Sequence, residues 1–128
     1  MALVIDLKPK EKIIIGNAVI TNDNQRTRLH IEGEAPILRE RDVMREEDAT
    51  SPCKRIYYII QLMYLAKDAT ELYDFYFTSV REVQDAAPST ALLLADVSSH
   101  ILGGHYYKAL REARKLIDYE QELMANVQ

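Results

Sequence analysis

The hydrophobic period of this chain changes once, and that change limits what it can fold into. Up to about residue 45, apolar side chains come in short β-rich runs or alternate with polar ones. From about residue 52 they recur every three or four positions. A period of two suits strands with one wet face, and a period near 3.6 suits amphipathic helices. The expected fold is therefore α+β. A small β-strand module over residues 1–45 precedes a linker at 46–51 and a four-helix module over 52–128.

The first module reads as a series of short strands. Residues 2–7 (ALVIDL) form an apolar run that Pro9 breaks, and residues 12–20 (KIIIGNAVI) form a second, with Gly16-Asn17 inside it as a turn or bulge. The polar segment TNDNQ carries Asn22, Asp23 and Asn24, residue types that tolerate turn backbone. Residues 26–32 then place Arg26, Arg28, His30 and Glu32 on one face and Thr27, Leu29 and Ile31 on the other. Ala35-Pro36 opens an extended stretch that ends in the charged run from Arg39. A β module of this size buries little core alone, so dimerisation or docking on the helices is expected.

In the second module Thr50 or Ser51 is placed to cap a helix whose first residue is Pro52. Periodicity predicts helices over 52–67, 69–86, 88–102 and 104–126. Their apolar faces include Ile56, Ile59, Ile60 and Met63, then Phe75, Tyr76, Val80 and Val83, and finally Leu110, Ala113 and Ile117. Asp68 or Thr70 caps the second, and Gly103-Gly104 ends the third.

Charge is divided unevenly. The 128-residue chain has a formal net charge of −4, yet residues 1–45 hold eight basic and seven acidic side chains, against eight and thirteen beyond. Any contact with phosphate must therefore come from a local basic patch. Arg26 and Arg28 share a strand face, and Arg39, Arg41 and Arg45 follow at the end of the extended segment. The planar guanidinium fork suits phosphate and base edges, while a solvated face of mixed charge is the plainer reading.

The remaining chemistry is sparse. Cys53 stands alone, which excludes an intrachain disulfide and suits the cytoplasm. Its place in a first helical turn favours a lowered pKa, but an inert small residue is the simpler reading. His30, His100 and His105 lack the neighbours of a metal site, so no metal or other cofactor is expected. Nucleotide-loop and hydrolase motifs are missing, and the chain is not expected to be an enzyme. The start MALVID lacks the pattern of a signal peptide, and the apolar runs are shorter than a bilayer span. The adjacent aromatics Tyr57-Tyr58 and Phe75-Tyr76-Phe77 must point to different sides of their helices. Core packing accounts for most such rings, and those left outside (Tyr57, Tyr58, Tyr73 and Phe77 are the candidates) would meet a protein partner.

Three blocks resemble the FlbT family of flagellin-regulating proteins: the LKP-x-E motif at Leu7, Lys8, Pro9 and Glu11, the APILRE block from Ala35 to Glu40, and KRIYY-x-IQLMY from Lys54 to Tyr64. The resemblance runs along nearly the whole chain. It implies a cytoplasmic post-transcriptional regulator of flagellum biosynthesis, a repressor in some members and an activator in others, that acts on the 5′ untranslated region of flagellin mRNA. The small protein FlaF, or flagellin itself, is an implied partner.

The N-terminal third is also similar, more distantly, to the carbon storage regulator family of intertwined β dimers that bind RNA. The shared order is a first strand, Glu11, Ile15-Gly16, an arginine-bearing strand, Ala35-Pro36 and the tail Arg39-Glu40-Arg41-Asp42. That likeness implies a homodimer, with Arg39 or Arg41 matching a late RNA-contacting arginine. The first strand differs, carrying Val4-Ile5-Asp6 where a basic residue is usual, and Asp6 is expected to repel phosphate.

The expected function is thus RNA binding by Arg26, Arg28, Arg39 and Arg41. The competing expectation is a protein-interaction adaptor or chaperone-like module, with only an indirect effect on mRNA.

Overall fold

A computed structural model of the chain describes residues 2–126, which divide into two compact units, one ending at Val43 and one beginning at Met44.

In the first unit β1 (Ala2–Leu7) pairs antiparallel with β4 (Thr27–Glu32), setting Asp6 opposite Arg28 and Val4 opposite His30. A second sheet has β2 (Lys12–Ile15) between β3 (Ala18–Thr21) and β5 (Ile37–Arg39), again antiparallel, with Ile13 opposite Arg39. The predicted run 12–20 is therefore a hairpin. Gly16 is its first turn residue, at φ +62°, where a side chain would be strained. Alternation decides what is buried. Ile5, Leu7 and Ile13 form the core, with Ile15, Leu29, Ile31 and Ile37 packed against it. Arg28 and His30 face out on β4.

Two polar clasps hold this small unit together. Lys8–Glu11 is a tight turn in which Glu11 N–H donates to the Lys8 carbonyl at 3.1 Å. Pro9 supplies the first turn position, Lys10 takes φ +66°, and a Glu11 carboxylate oxygen accepts from Lys8 N–H at 2.9 Å. This gives the LKP-x-E motif a local physical reason. The second clasp is Asn22. Its amide donates to the Lys8 and Gln25 carbonyls, both at 2.8 Å, and its side-chain oxygen accepts from the Thr27 hydroxyl at 3.0 Å.

The second unit contains α1 (Pro52–Leu65), α2 (Tyr73–Ala86), α3 (Ala91–Leu102) and α4 (Tyr106–Asn126). Single 3₁₀ turns at Ala69–Leu72 and Pro88–Thr90 lead into α2 and α3, so the predicted starts at 69 and 88 fall in tighter helix. Ser51 caps α1 by accepting from Lys54 N–H, and Asp68 caps the following turn by accepting from Thr70 N–H at 3.0 Å. α4 packs on both α1 and α3, while α2 packs on α1. The core is built from Ile56, Ile60, Met63, Tyr76, Leu94, Val97, Ile101, Leu110 and Leu116, all at most 2% exposed. Ala109 and Ala113 on α4 let neighbouring backbone approach closely.

The segment expected as a linker contains a 3₁₀ turn at Glu46–Asp48. The chain two residues before this segment is anchored from α1. Buried Gln61 accepts from Met44 N–H at 2.7 Å and donates to the Met44 carbonyl at 2.9 Å. Both backbone groups of Met44 are thereby satisfied by one amide side chain.

Candidate functional site

The β1–β4 ladder brings Asp6 and Arg28 side by side, and Arg28 Nε donates to an Asp6 carboxylate oxygen at 2.9 Å. Arg26 stands just before β4, and Asp6, Arg26, Thr27 and Arg28 line a shallow concavity of about 440 Å³. Arg39 reaches over from β5, its Nη2 donating to the Asp6 backbone carbonyl at 2.8 Å and lying 3.4 Å from a Glu11 carboxylate oxygen. Asp6 is thus surrounded by three arginines. Its carboxyl is held below the usual carboxylate range first by the hydrogen bond and charge of Arg28, then by the charges of Arg26 and Arg39. Asp6 in turn raises Arg28 further.

Spacing along the sequence separates these arginines into two groups, Arg26 with Arg28 and Arg39 with Arg41 and Arg45. The fold instead brings Arg28 onto the Asp6 carboxylate and Arg39 onto the Asp6 backbone carbonyl and Glu11, with Arg26 lining the same concavity. Arg28 is 64% exposed in its side chain, whereas Arg39 is 29% exposed and its Nε is buried without a hydrogen-bond partner among the described residues. Arg39 therefore acts as a strut between β5, the end of β1 and the Lys8–Glu11 turn. Arg41 sits exposed in a 3₁₀ turn, Glu40–Asp42. The residue that sequence reading cast only as a repeller of phosphate, Asp6, organises the cluster. Its position opposite Arg28 depends on strand register, which the alternation of β4 alone does not reveal.

The aromatic candidates on the helices separate by burial. Tyr57 is only 2% exposed. The Arg114 guanidinium lies 4.8 Å from its ring centroid and donates to its hydroxyl at 3.3 Å, so this ring belongs to the core and has no face for a partner. Tyr58 is half-buried. The Tyr73 hydroxyl lies 3.2 Å from that of Tyr106, whose pKa rises to about 12 through this hydrogen bond and then burial. Half-buried Phe77 meets Tyr76 edge-on at 4.9 Å. Tyr76 itself is buried, its hydroxyl 2.9 Å from that of Ser98. Phe75, expected on the apolar face of the second helix, is instead the most exposed ring of this run, at 66%. Adjacent positions on a helix point about 100° apart, which is why Phe75 and Tyr76 have opposite fates.

Cys53 is buried, and its thiol is pushed up to about 12 by burial and by the nearby Glu120 carboxylate. A helix start would lower that value, but here desolvation outweighs it. His100 and His105 rings lie 6.5 Å apart at the end of α3. Among the described residues no cluster of three or more metal-ligating side chains occurs, and no helix is long and apolar enough to cross a membrane.

Residues 3–124 match the family model of the flagellar protein FlbT. The chain is 48% identical to the probable flagellum biosynthesis repressor protein FlbT 1 of Bradyrhizobium diazoefficiens, over 96% of this chain and 85% of that protein. It is 47% identical to the corresponding protein of Rhodopseudomonas palustris, over 98% and 99% of the two chains. Against the flagellum biosynthesis repressor protein FlbT of Caulobacter vibrioides it is 35% identical, over 99% and 92%. No solved structure matches.

Proposed function

This chain belongs to the FlbT family of flagellar proteins and has a regulatory role in flagellum biosynthesis, and we propose that it exerts that role by binding mRNA. The target is the 5′ untranslated region of flagellin mRNA, and the action is non-catalytic and cytoplasmic. The observation that carries this reading is the convergence of Arg26, Arg28 and Arg39 on Asp6 beside a shallow, exposed concavity. Three guanidiniums against two carboxylates, Asp6 and Glu11, leave one net positive charge in this patch on a chain that is acidic overall.

In this mechanism Asp6 and Arg39 are positioning groups. Asp6 holds the Arg28 fork, and Arg39 fixes the end of β1 on which Asp6 sits. Arg26, Arg28 and Arg41 then contact phosphates and unpaired bases. A single-stranded or looped segment suits them, because the bases of such RNA are open to side chains. Leu3, Val4, Val19 and Ile20 are each at least 40% exposed on strands of the β unit, which supports a homodimer formed through this unit. FlaF or flagellin is the proposed protein partner of the helices.

The test is RNA affinity of the Arg26→Ala, Arg28→Ala double variant, measured by fluorescence anisotropy at several salt concentrations. Loss of two phosphate contacts should weaken binding and reduce the salt slope by about 0.7 for each contact, the value for single strands. A folded double variant with unchanged affinity and slope would remove these residues from the interface.

A further inference from the structure

The helical unit carries a second feature that the RNA reading does not use. A cleft of about 490 Å³ opens where the start of α1, the end of α2 and the last turns of α4 meet, and most of its lining is apolar. Cys53, Val83, Ala86, Thr90, Leu123 and Met124 form its walls. Met124 is 68% exposed there, a flexible side chain suited to adapt to an incoming apolar group.

Among the described residues, the charged side chains that line the cleft have one sign. Glu82 and Glu120 line it, and its lining contains no lysine or arginine. After Lys115, α4 adds Asp118, Glu120 and Glu122 without another basic residue. Helix dipoles do not alter this balance, because helix starts (α1 and the turn into α3) and helix ends (α2 and α4) both border the cleft. Glu120 is already engaged, accepting from the Ser51 hydroxyl and from Cys53 N–H at 3.0 Å. Glu82 is exposed and, among the described residues, has no ion-pair partner. An apolar floor with an unanswered carboxylate at the rim is complementary to an apolar side chain flanked by a cation.

We propose that this cleft docks a cationic amphipathic helix of a partner protein, which seats a large apolar side chain between Val83, Ala86 and Leu123 and sets a lysine or arginine against Glu82. This goes beyond RNA binding and is independent of it, because every residue involved lies in the helical unit.

The test uses the full chain and two labelled model peptides of helical Leu periodicity, one with lysines on the polar face and one with glutamates. The lysine peptide should bind and shift the backbone amide signals of Cys53, Ala87 and Leu123. Ala86→Trp, which fills the cleft from an exposed position, and Glu82→Lys should each weaken that binding at least tenfold while leaving RNA affinity unchanged. Binding that survives both substitutions, equal binding of the glutamate peptide, amide shifts elsewhere or no binding of the lysine peptide would each overturn the proposal.

Discussion

Asp6→Asn should strengthen RNA binding, although it removes half of an ion pair. The substitution keeps the size of the side chain and an oxygen able to accept from Arg28 Nε, so the ladder position opposite Arg28 is retained. It removes one of the two negative charges beside Arg26, Arg28 and Arg39, Glu11 being the other, and so raises the formal charge of the cluster by one. If the released charge engages one more phosphate, the slope of log affinity against log salt steepens by about 0.7, the value for single strands. Between about 200 and 50 mM salt the variant would then gain roughly 2.6-fold more affinity than the parent chain. Anisotropy titrations of both proteins across that range measure the difference, with circular dichroism to establish that both are folded. A folded variant with an unchanged or shallower slope would refute the reasoning, since Asp6 would then be needed to aim Arg28 more than it neutralises it.

Other perturbations have equally definite outcomes. Gln61→Leu leaves Met44 N–H and C=O without their buried partner and should cost the helical unit about 2–4 kcal/mol by urea unfolding at constant m value. A loss below about 0.5 kcal/mol, the size of an ordinary surface change, would mean that water replaces both bonds freely. Asn22→Ala removes the clasp between the end of β1 and the turn into β4. It should destabilise the β unit by about 1–3 kcal/mol, with hydrogen exchange accelerated at Thr27. The Cys53 thiol, raised to about 12 when folded, should resist alkylation at pH 8 in the native protein and react readily in urea. Because the folded value lies above the unfolded one, the stability linked to this thiol is complete below the unfolded range. It is lost as pH rises through that range toward 12. Asp6, Glu11 and Asp68 are shifted down, so the stability they contribute is present above the ordinary carboxylate range and lost as pH falls below it, which an acid unfolding series would show.

The architecture was legible in the sequence wherever periodicity and punctuation agreed. Pro52 after Ser51, Pro88 and Gly103-Gly104 set helix limits, and the alternation of Arg28, Leu29, His30 and Ile31 set the faces of β4. Periodicity does not distinguish α-helix from 3₁₀ turns, so the starts of α2 and α3 shifted by a few residues. Relations that depend on register or on distant pairing were not legible. The meeting of Asp6 with Arg28 joins residues 22 positions apart, and the Arg39 strut joins β5 to β1 over 33. Likewise, the burial of Tyr57 follows from Arg114 closing over it from α4, 57 residues away, and nothing in KRIYY distinguishes the fates of its two tyrosines.

The measurement that most directly tests the central claim is the salt dependence of binding between the unmodified protein and flagellin 5′ untranslated RNA. If Arg26, Arg28 and Arg41 each neutralise a phosphate, affinity should fall roughly 20-fold between about 50 and 200 mM salt. It should also exceed affinity for an unrelated RNA of equal length. No binding by the folded protein, or weak binding that does not distinguish the two RNAs, would contradict it.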